Sequence, residues 1–124
     1  MANECTPLFR PGRDITGLTT GAVTGKTFVD VSATRAADGM IKVATAAAGV
    51  KALGVAKYDA ASGALVGIHR GGILPVAAGG TIAFGAEVEV GAAGKAITLA
   101  SGKAVGKAVE AGTNGNDIQI AFYG

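Results

Sequence analysis

The sequence has 124 residues and a mass of 12.0 kDa, which corresponds to one domain. Glycine supplies 21 residues and alanine 26, so the hydrophobic core is thin and we expect oligomerisation to complete it. The formal net charge is only +2, and the 11 basic and 9 acidic residues are scattered singly, so we predict no nucleic-acid partner.

Membrane insertion, secretion and metal binding are also disfavoured. The longest uncharged run, residues 71–86, has 16 residues and contains a proline, whereas a membrane-spanning helix needs about 20 apolar residues. The N-terminus lacks the basic start and apolar stretch of a secretory signal, so we expect the protein to stay in the cytoplasm where it is made. One cysteine and one histidine cannot form a zinc site without carboxylates. We therefore predict no membrane partner, no metal and no cofactor.

The first predicted element is an extended N-terminal arm, residues 1–15. It contains two of the three prolines, and proline favours extended backbone and removes a hydrogen-bond donor. Leu8 and Phe9 lie beside two arginines, which suggests a segment that becomes ordered only against a partner. A frayed terminus is the alternative. Residues 16–124 are predicted to form a single β domain.

Nine short strands are predicted after the arm. The longest stretch without glycine, residues 26–38, has 13 residues, so the alanines cannot form long helices. Several segments alternate apolar and polar residues, which predicts strands with one buried and one exposed face. Glycine-containing turns recur about every ten residues, as is typical of β-barrels and β-sandwiches. The predicted strands are residues 28–32, 40–45, 52–58, 64–70, 73–76, 87–90, 96–99, 104–110 and 117–123.

Part of the sequence returns after 52 residues. Residues 51–56, KALGVA, are followed by KAVGKA at residues 103–108, and Ile68 matches Ile120 at the same offset. We interpret this repeat as one hairpin used twice, in pseudo-symmetric halves of one barrel. The glycine in the first strand of each hairpin would then allow a bend or the close approach of another backbone. Chance matching in a chain rich in alanine and glycine is the alternative.

Two catalytic motifs are present only in incomplete form. Residues 21–27, GAVTGKT, are one residue short of a phosphate-binding loop and lead into a predicted strand instead of a helix. Asp59, Ser62 and His69 could form a nucleophilic triad. However, Asp59 and Ser62 are also the residues expected in a turn. We therefore predict no enzymatic activity and no small-molecule substrate.

Two other candidates are carboxylates and a lysine. Glu87 and Glu89 could act as an acid–base pair, although an exposed strand face gives the same pattern and is the preferred interpretation. Residues 40–43, MIKV, are similar to the modified-lysine segment of biotinyl and lipoyl carrier domains, but Lys42 lies in a predicted strand and not at a hairpin tip. A small β-barrel carrier or ligand-binding module is the main alternative function.

The order and spacing of several motifs together resemble the capsid cement, or head decoration, proteins of tailed phages. Residues 9–16, FRPGRDIT, are similar to the aromatic-x-Pro-Gly entry of that family. The resemblance continues through residues 54–63, 66–76, 85–91 and 104–108, and ends on a short apolar strand at residues 118–123.

This resemblance implies an all-β protein, a small Gly/Ala-rich β-barrel or β-sandwich similar to a β-tulip, with an extended N-terminal arm. It also implies a virion protein on the outer capsid surface that binds the major capsid protein and stabilises contacts between capsid subunits. A homotrimer is expected, as in the lambda-type decoration proteins. A head-fibre or tail component is the alternative within the virion. The residues expected to bind the capsid are Leu8, Phe9, Arg10, Pro11 and Arg13.

Overall fold

A computed structural model describes residues 5–6, 8–9 and 12–123, and these residues form ten β-strands and no α-helix. The only helical segment in this part of the chain is a single 3₁₀ turn, Ala92–Gly94. The all-β prediction is confirmed. The strands are β1 Asp14–Thr19, β2 Phe28–Ala33, β3 Ile41–Thr45, β4 Gly54–Ala56, β5 Leu65–His69, β6 Gly72–Ala77, β7 Glu87–Val90, β8 Ala96–Thr98, β9 Gly106–Ala108 and β10 Asp117–Phe122.

The first five strands close into a barrel in the order β1-β3-β2-β4-β5. Strand β1 closes it, because it pairs antiparallel with β5, where Ile15 lies opposite Ile68, and parallel with β3, where Leu18 lies opposite Lys42. We call these strands the first unit. The interior side chains are mostly β-branched, which suits the alternating geometry of strands.

The other five strands, the second unit, repeat this arrangement. Their sheet order is β6-β10-β9-β7-β8. Read in the opposite direction around the ring from β6, it is the order of the first unit with each strand replaced by the one five places later. The pairing of Ala56 with Ile68 recurs 52 residues later as Ala108 with Ile120. The parallel closure between β1 and β3 recurs only as one isolated bridge, from Ala78 to Ala96. The second unit therefore has the same five-stranded arrangement, but the strand pairing that closes it is limited to one bridge.

The predicted hairpin repeat is thus confirmed in its register, but its interpretation as halves of one barrel is wrong. Each copy of the hairpin belongs to a complete five-stranded unit with its own interior. The predicted close approach at the hairpin glycines is confirmed. A Cβ on Gly54 would overlap the carbonyl oxygen of His69, and a Cβ on Gly106 would lie 2.7 Å from the carbonyl oxygen of Ala121.

The buried residues follow the same repeat. The first interior contains Ile15, Val29 and Ile68. The residues at the matching positions of the second unit, Leu74, Val88 and Ile120, belong to a larger cluster that also reaches the first unit. The first unit contributes to this larger cluster from the outside of its barrel. Its contributing side chains are Phe28, Ala46, Ala52 and Val55.

Phe28 connects the two units. Because strand residues alternate between faces, Val29 points into the first barrel and Phe28 points away from it. The Phe28 ring is fully buried and stacks on Phe122 of the second unit, with ring centroids 6.3 Å apart. The thin core expected from composition is therefore divided into two small interiors, and the stacked phenylalanines are the aromatic part of the contact between the units.

Strand β1 was not predicted, and the predicted boundary between residues 15 and 16 falls inside it. Gly17, in the middle of this strand, faces the barrel interior. A Cβ there would lie 3.1 Å from both Ile68 Cδ1 and Val43 Cγ2. Larger neighbours therefore fill the space that glycine leaves. The strands predicted at 52–58 and 104–110 are each only three residues long.

Candidate interaction surface

The arm exposes two large apolar side chains. Leu8 is 54% exposed and Phe9 is 36% exposed. Two further predicted capsid-binding residues, Arg10 and Pro11, lie outside the described residues. A leucine in water contributes nothing to a core, so Leu8 is available to a partner.

The root of the arm is fixed to the first unit through Arg13, the fifth predicted contact residue. The backbone N–H of Arg70 donates to the carbonyl oxygen of Arg13 at 2.7 Å. The Arg70 side chain donates from Nη1 to the Gly12 carbonyl at 3.4 Å and from Nε to the Leu53 carbonyl at 3.2 Å. The Arg13 side chain lies against Gly71. The arm thus leaves the body at a defined point, next to the junction between the two units.

Three charged or titratable side chains meet beside this root on the outer face of the first unit. Asp14 Oδ1 lies 3.0 Å from Lys57 Nζ and 3.0 Å from His69 Nδ1. The hydrogen bond and charge of Lys57, followed by those of His69, lower the pKa of Asp14 below its usual value. Asp14 and Lys57 are not predicted as site residues from the sequence, because they lie far apart in the chain. Only the pairing of β1 with β5 brings Asp14 next to His69.

Replacing Lys57 with glutamine is expected to raise the pKa of Asp14 towards its usual value, because the main stabiliser of the carboxylate is lost. A folded-state pKa below the unfolded one means that the contribution of Asp14 to stability is present above the unfolded pKa and is lost as pH falls through the folded pKa. An NMR titration of the Asp14 carboxyl carbon measures the shift.

The control is Lys26→Gln, which breaks a different exposed ion pair, with Asp117. It should leave the Asp14 titration unchanged. Identical Asp14 titration curves in wild type and Lys57→Gln would contradict the ion pair.

The structure does not assemble the two incomplete catalytic motifs. His69 contacts Asp14, while Asp59 Oδ1 accepts the backbone N–H of Gly25 at 2.8 Å. The loop of residues 21–27 leads into β2, as expected. Lys42 lies within β3, largely buried, with Nζ 2.6 Å from Asp38. The paired lysine therefore does not stand at a hairpin tip as the carrier alternative requires.

Only one of the two carboxylates on β7 is exposed, although the sequence predicts an exposed face for both. Glu87 is exposed and accepts a hydrogen bond from the Tyr123 hydroxyl at 2.8 Å. Glu89 is buried and accepts the backbone N–H of Ala100 at 2.9 Å. The preferred interpretation is wrong for Glu89, because the chain at residues 100–102 folds over β7. A Cβ on Gly102 would overlap its carboxylate.

Across the described residues, the surface shows no cavity for a small ligand and no cluster of three metal-ligating side chains. None of the helical segments in the described part of the chain is long and apolar enough to span a bilayer. The features that stand out are an exposed apolar arm, its fixed root and the sheet faces beside it.

The comparison with known families gives one match that covers nearly the whole chain. The sequence model of the phage cement protein family matches residues 10–123. No protein with a curated function is significantly similar in sequence.

Among solved structures, the chain is similar to the N base of the head fibre protein gp8.5 in bacteriophage phi29. The TM-score is 0.76 at 22% sequence identity, and the match covers 88% of this chain and 92% of that chain. The comparison therefore shows a shared fold.

Proposed function

The chain belongs to the phage cement protein family, and we propose that it binds the outside of the assembled head as a homotrimer and stabilises contacts between major capsid subunits. The family is one of virion structural proteins and not of enzymes. The observation that carries the proposal is the family match across residues 10–123, which includes the arm root and both units.

The arm is the proposed capsid contact. It pairs as an added strand along an exposed strand edge of the capsid protein, where main-chain hydrogen bonds supply affinity and side chains fill pockets. Leu8 and Phe9 are exposed in the free chain, which supports their role as the apolar anchors. The proposed contact residues are Leu8, Phe9, Arg10, Pro11 and Arg13.

The fixed root makes three arms more effective than one. An arm that becomes ordered on binding loses part of its binding energy to entropy. Three arms on one trimer raise the effective concentration of the second and third contacts, which increases avidity by about 10² to 10⁴. The bonds between Arg70 and the backbone of residues 12 and 13 support this mechanism because they hold the start of each arm in place.

The double substitution Leu8→Asp with Phe9→Asp tests the arm. It should abolish co-sedimentation of the protein with purified expanded heads and leave its fold and mass unchanged, because both side chains lie outside the two interiors. Deletion of residues 2–11, which preserves the Arg13–Arg70 bond, should have the same effect.

The control is Leu65→Asp, because Leu65 is as exposed as Leu8, at 55%, and lies on the body. It should leave head binding unchanged. Unchanged head occupancy by both arm variants would overturn the arm as the contact.

A head-fibre or tail component is a second candidate, and the fold shared with a head fibre base favours it. Parallel sedimentation with purified heads and purified tails separates a tail component from a head protein. Binding to tails and not to heads would overturn the cement proposal.

A further inference from the structure

The second unit carries an exposed apolar face, defined here as Ile73, Pro75, Val109, Ala121 and Tyr123. These residues lie on the outer side of β6, β9 and β10 or directly beside those strands. Ile73 is 55% exposed, Val109 50% and Tyr123 48%. On β6 and β10 the face is continuous, because Ala121 lies opposite Ile73. Gln119, which lies opposite Pro75, separates these residues from Val109.

The first unit shows that the fold does not require apolar side chains at these positions. By the pairing registers, Ile73 occupies the position of Asp14 and Ala121 that of His69. Val109 occupies the position of Lys57, because its N–H donates to the carbonyl of Gln119 as that of Lys57 does to Gly67. The first unit thus places its solvated ion cluster where the second unit places an apolar face.

Charged side chains border the apolar face. Lys107 and Glu87 lie opposite each other at its edge, and the Tyr123 hydroxyl donates to Glu87. Glu110, next to Val109 in the chain, is also exposed. An apolar centre with a polar rim and a tyrosine is typical of a protein–protein interface.

The distribution of charge favours a second copy of the chain as the partner. Residues 1–71 hold eight basic and five acidic residues, a net charge of +3, and residues 72–124 hold three basic and four acidic residues, a net charge of −1. The two halves of the chain are therefore electrostatically complementary. When copies pack head to tail, the acidic rim residues Glu87 and Glu110 would meet cations of the first half of the next copy, such as Arg70.

We propose that the apolar face of the second unit binds the basic first half of a second copy of this chain. Head-to-tail contacts of this kind use two different patches and close into a ring when the rotation allows. The inference rests on the homotrimer of the proposed function and assigns the surface that forms it. In a ring of three, each subunit still presents one arm.

The test transfers the ion cluster of the first unit onto the second. The variant combines Ile73→Asp, Val109→Lys and Ala121→His, so that each position receives the residue of its counterpart. The same three side chains are already accommodated on the same strand pairing in the first unit, so we expect the fold to be retained. Light scattering should show the mass fall from about 36 kDa, three times 12.0 kDa, to 12.0 kDa.

The control is Phe84→Asp, which introduces a charge at another exposed apolar residue of the second unit, 79% exposed and outside the apolar face. This variant should keep the mass of the wild type. The single variant Val109→Lys, at a half-exposed site, replaces the triple variant if the latter does not fold, and should raise the dissociation constant about tenfold or more. Because opposite charges meet across the contact, 1 M salt should also weaken it relative to 0.1 M.

A folded triple variant that stays at about 36 kDa would overturn the assigned face and leave the trimer standing. A wild-type protein that is monomeric would overturn the trimer and this inference, while head binding would still test the cement function. Loss of head binding with an unchanged mass would show that the face meets the capsid, and would also overturn the inference.

Discussion

The substitution Gly54→Ala is expected to lower the free energy of unfolding by about 3 kcal/mol, at the upper end of the usual cost of overpacking. A Cβ at this position would overlap the His69 carbonyl oxygen and lie 2.6 Å from Ile68 Cγ2, and both obstacles belong to a paired strand that cannot move without opening the barrel. Gly106→Ala should behave alike, because its Cβ would meet the Ala121 carbonyl oxygen in the matching pair.

Urea unfolding followed by circular dichroism measures both losses, at one fixed protein concentration because the proposed trimer would make stability depend on concentration. Gly21→Ala and Gly80→Ala are the matched controls. Neither glycine has an atom within 4 Å of the added Cβ, so each control should change stability by less than about 0.5 kcal/mol. Equal unfolding midpoints for Gly54→Ala and Gly21→Ala would contradict the close backbone approach.

The hairpin repeat was predictable because glycine is retained where a backbone passes too close for any side chain. Gly54 and Gly106 occupy the same position in the two hairpins and make the 52-residue repeat recognisable in the sequence. Ile68 and Ile120, the interior residues on the second strand of each hairpin, have the same spacing. The rest of the duplication was hidden. Strand β6 follows β1 by 59 residues and not 52, so a single offset aligns only half of each unit.

Other features depend on contacts between distant residues. Asp14 and Lys57 are separated by most of the first unit, and neither stands in a motif that would relate it to His69. Strand β1 contains Gly17, where large side chains from neighbouring strands fill the space beside the glycine, and the sequence does not show these neighbours. Of the predicted capsid contacts, sequence composition identified the apolar pair, whereas the anchor of Arg13 on Arg70 required the fold.

The contact between the units is asymmetric, because the pair of residues that the first unit buries there is charged in the second unit. In the first unit, Phe28 and Val55 are paired on the outer face and buried in the larger cluster. Their counterparts in the second unit, Glu87 and Lys107, are paired in the same register and exposed. A third unit could not stack on the second in the same way, because it would bury this charged pair.

The substitution Phe28→Ala is therefore expected to cost about 3–5 kcal/mol, as for other buried phenylalanines, and to loosen the two units from each other. The ring is fully buried although it points away from the barrel that carries it, so its burial depends on the contact with the second unit. Urea unfolding measures the total loss of stability. Amide hydrogen exchange, resolved by residue, shows whether Val29 and Val88, one in each interior, still lose their protection in a single cooperative opening. Phe28→Leu keeps an apolar side chain at the contact and should lose about 1 kcal/mol. If Phe28→Ala were no more destabilising than Phe28→Leu, the stacked pair would not be what joins the units.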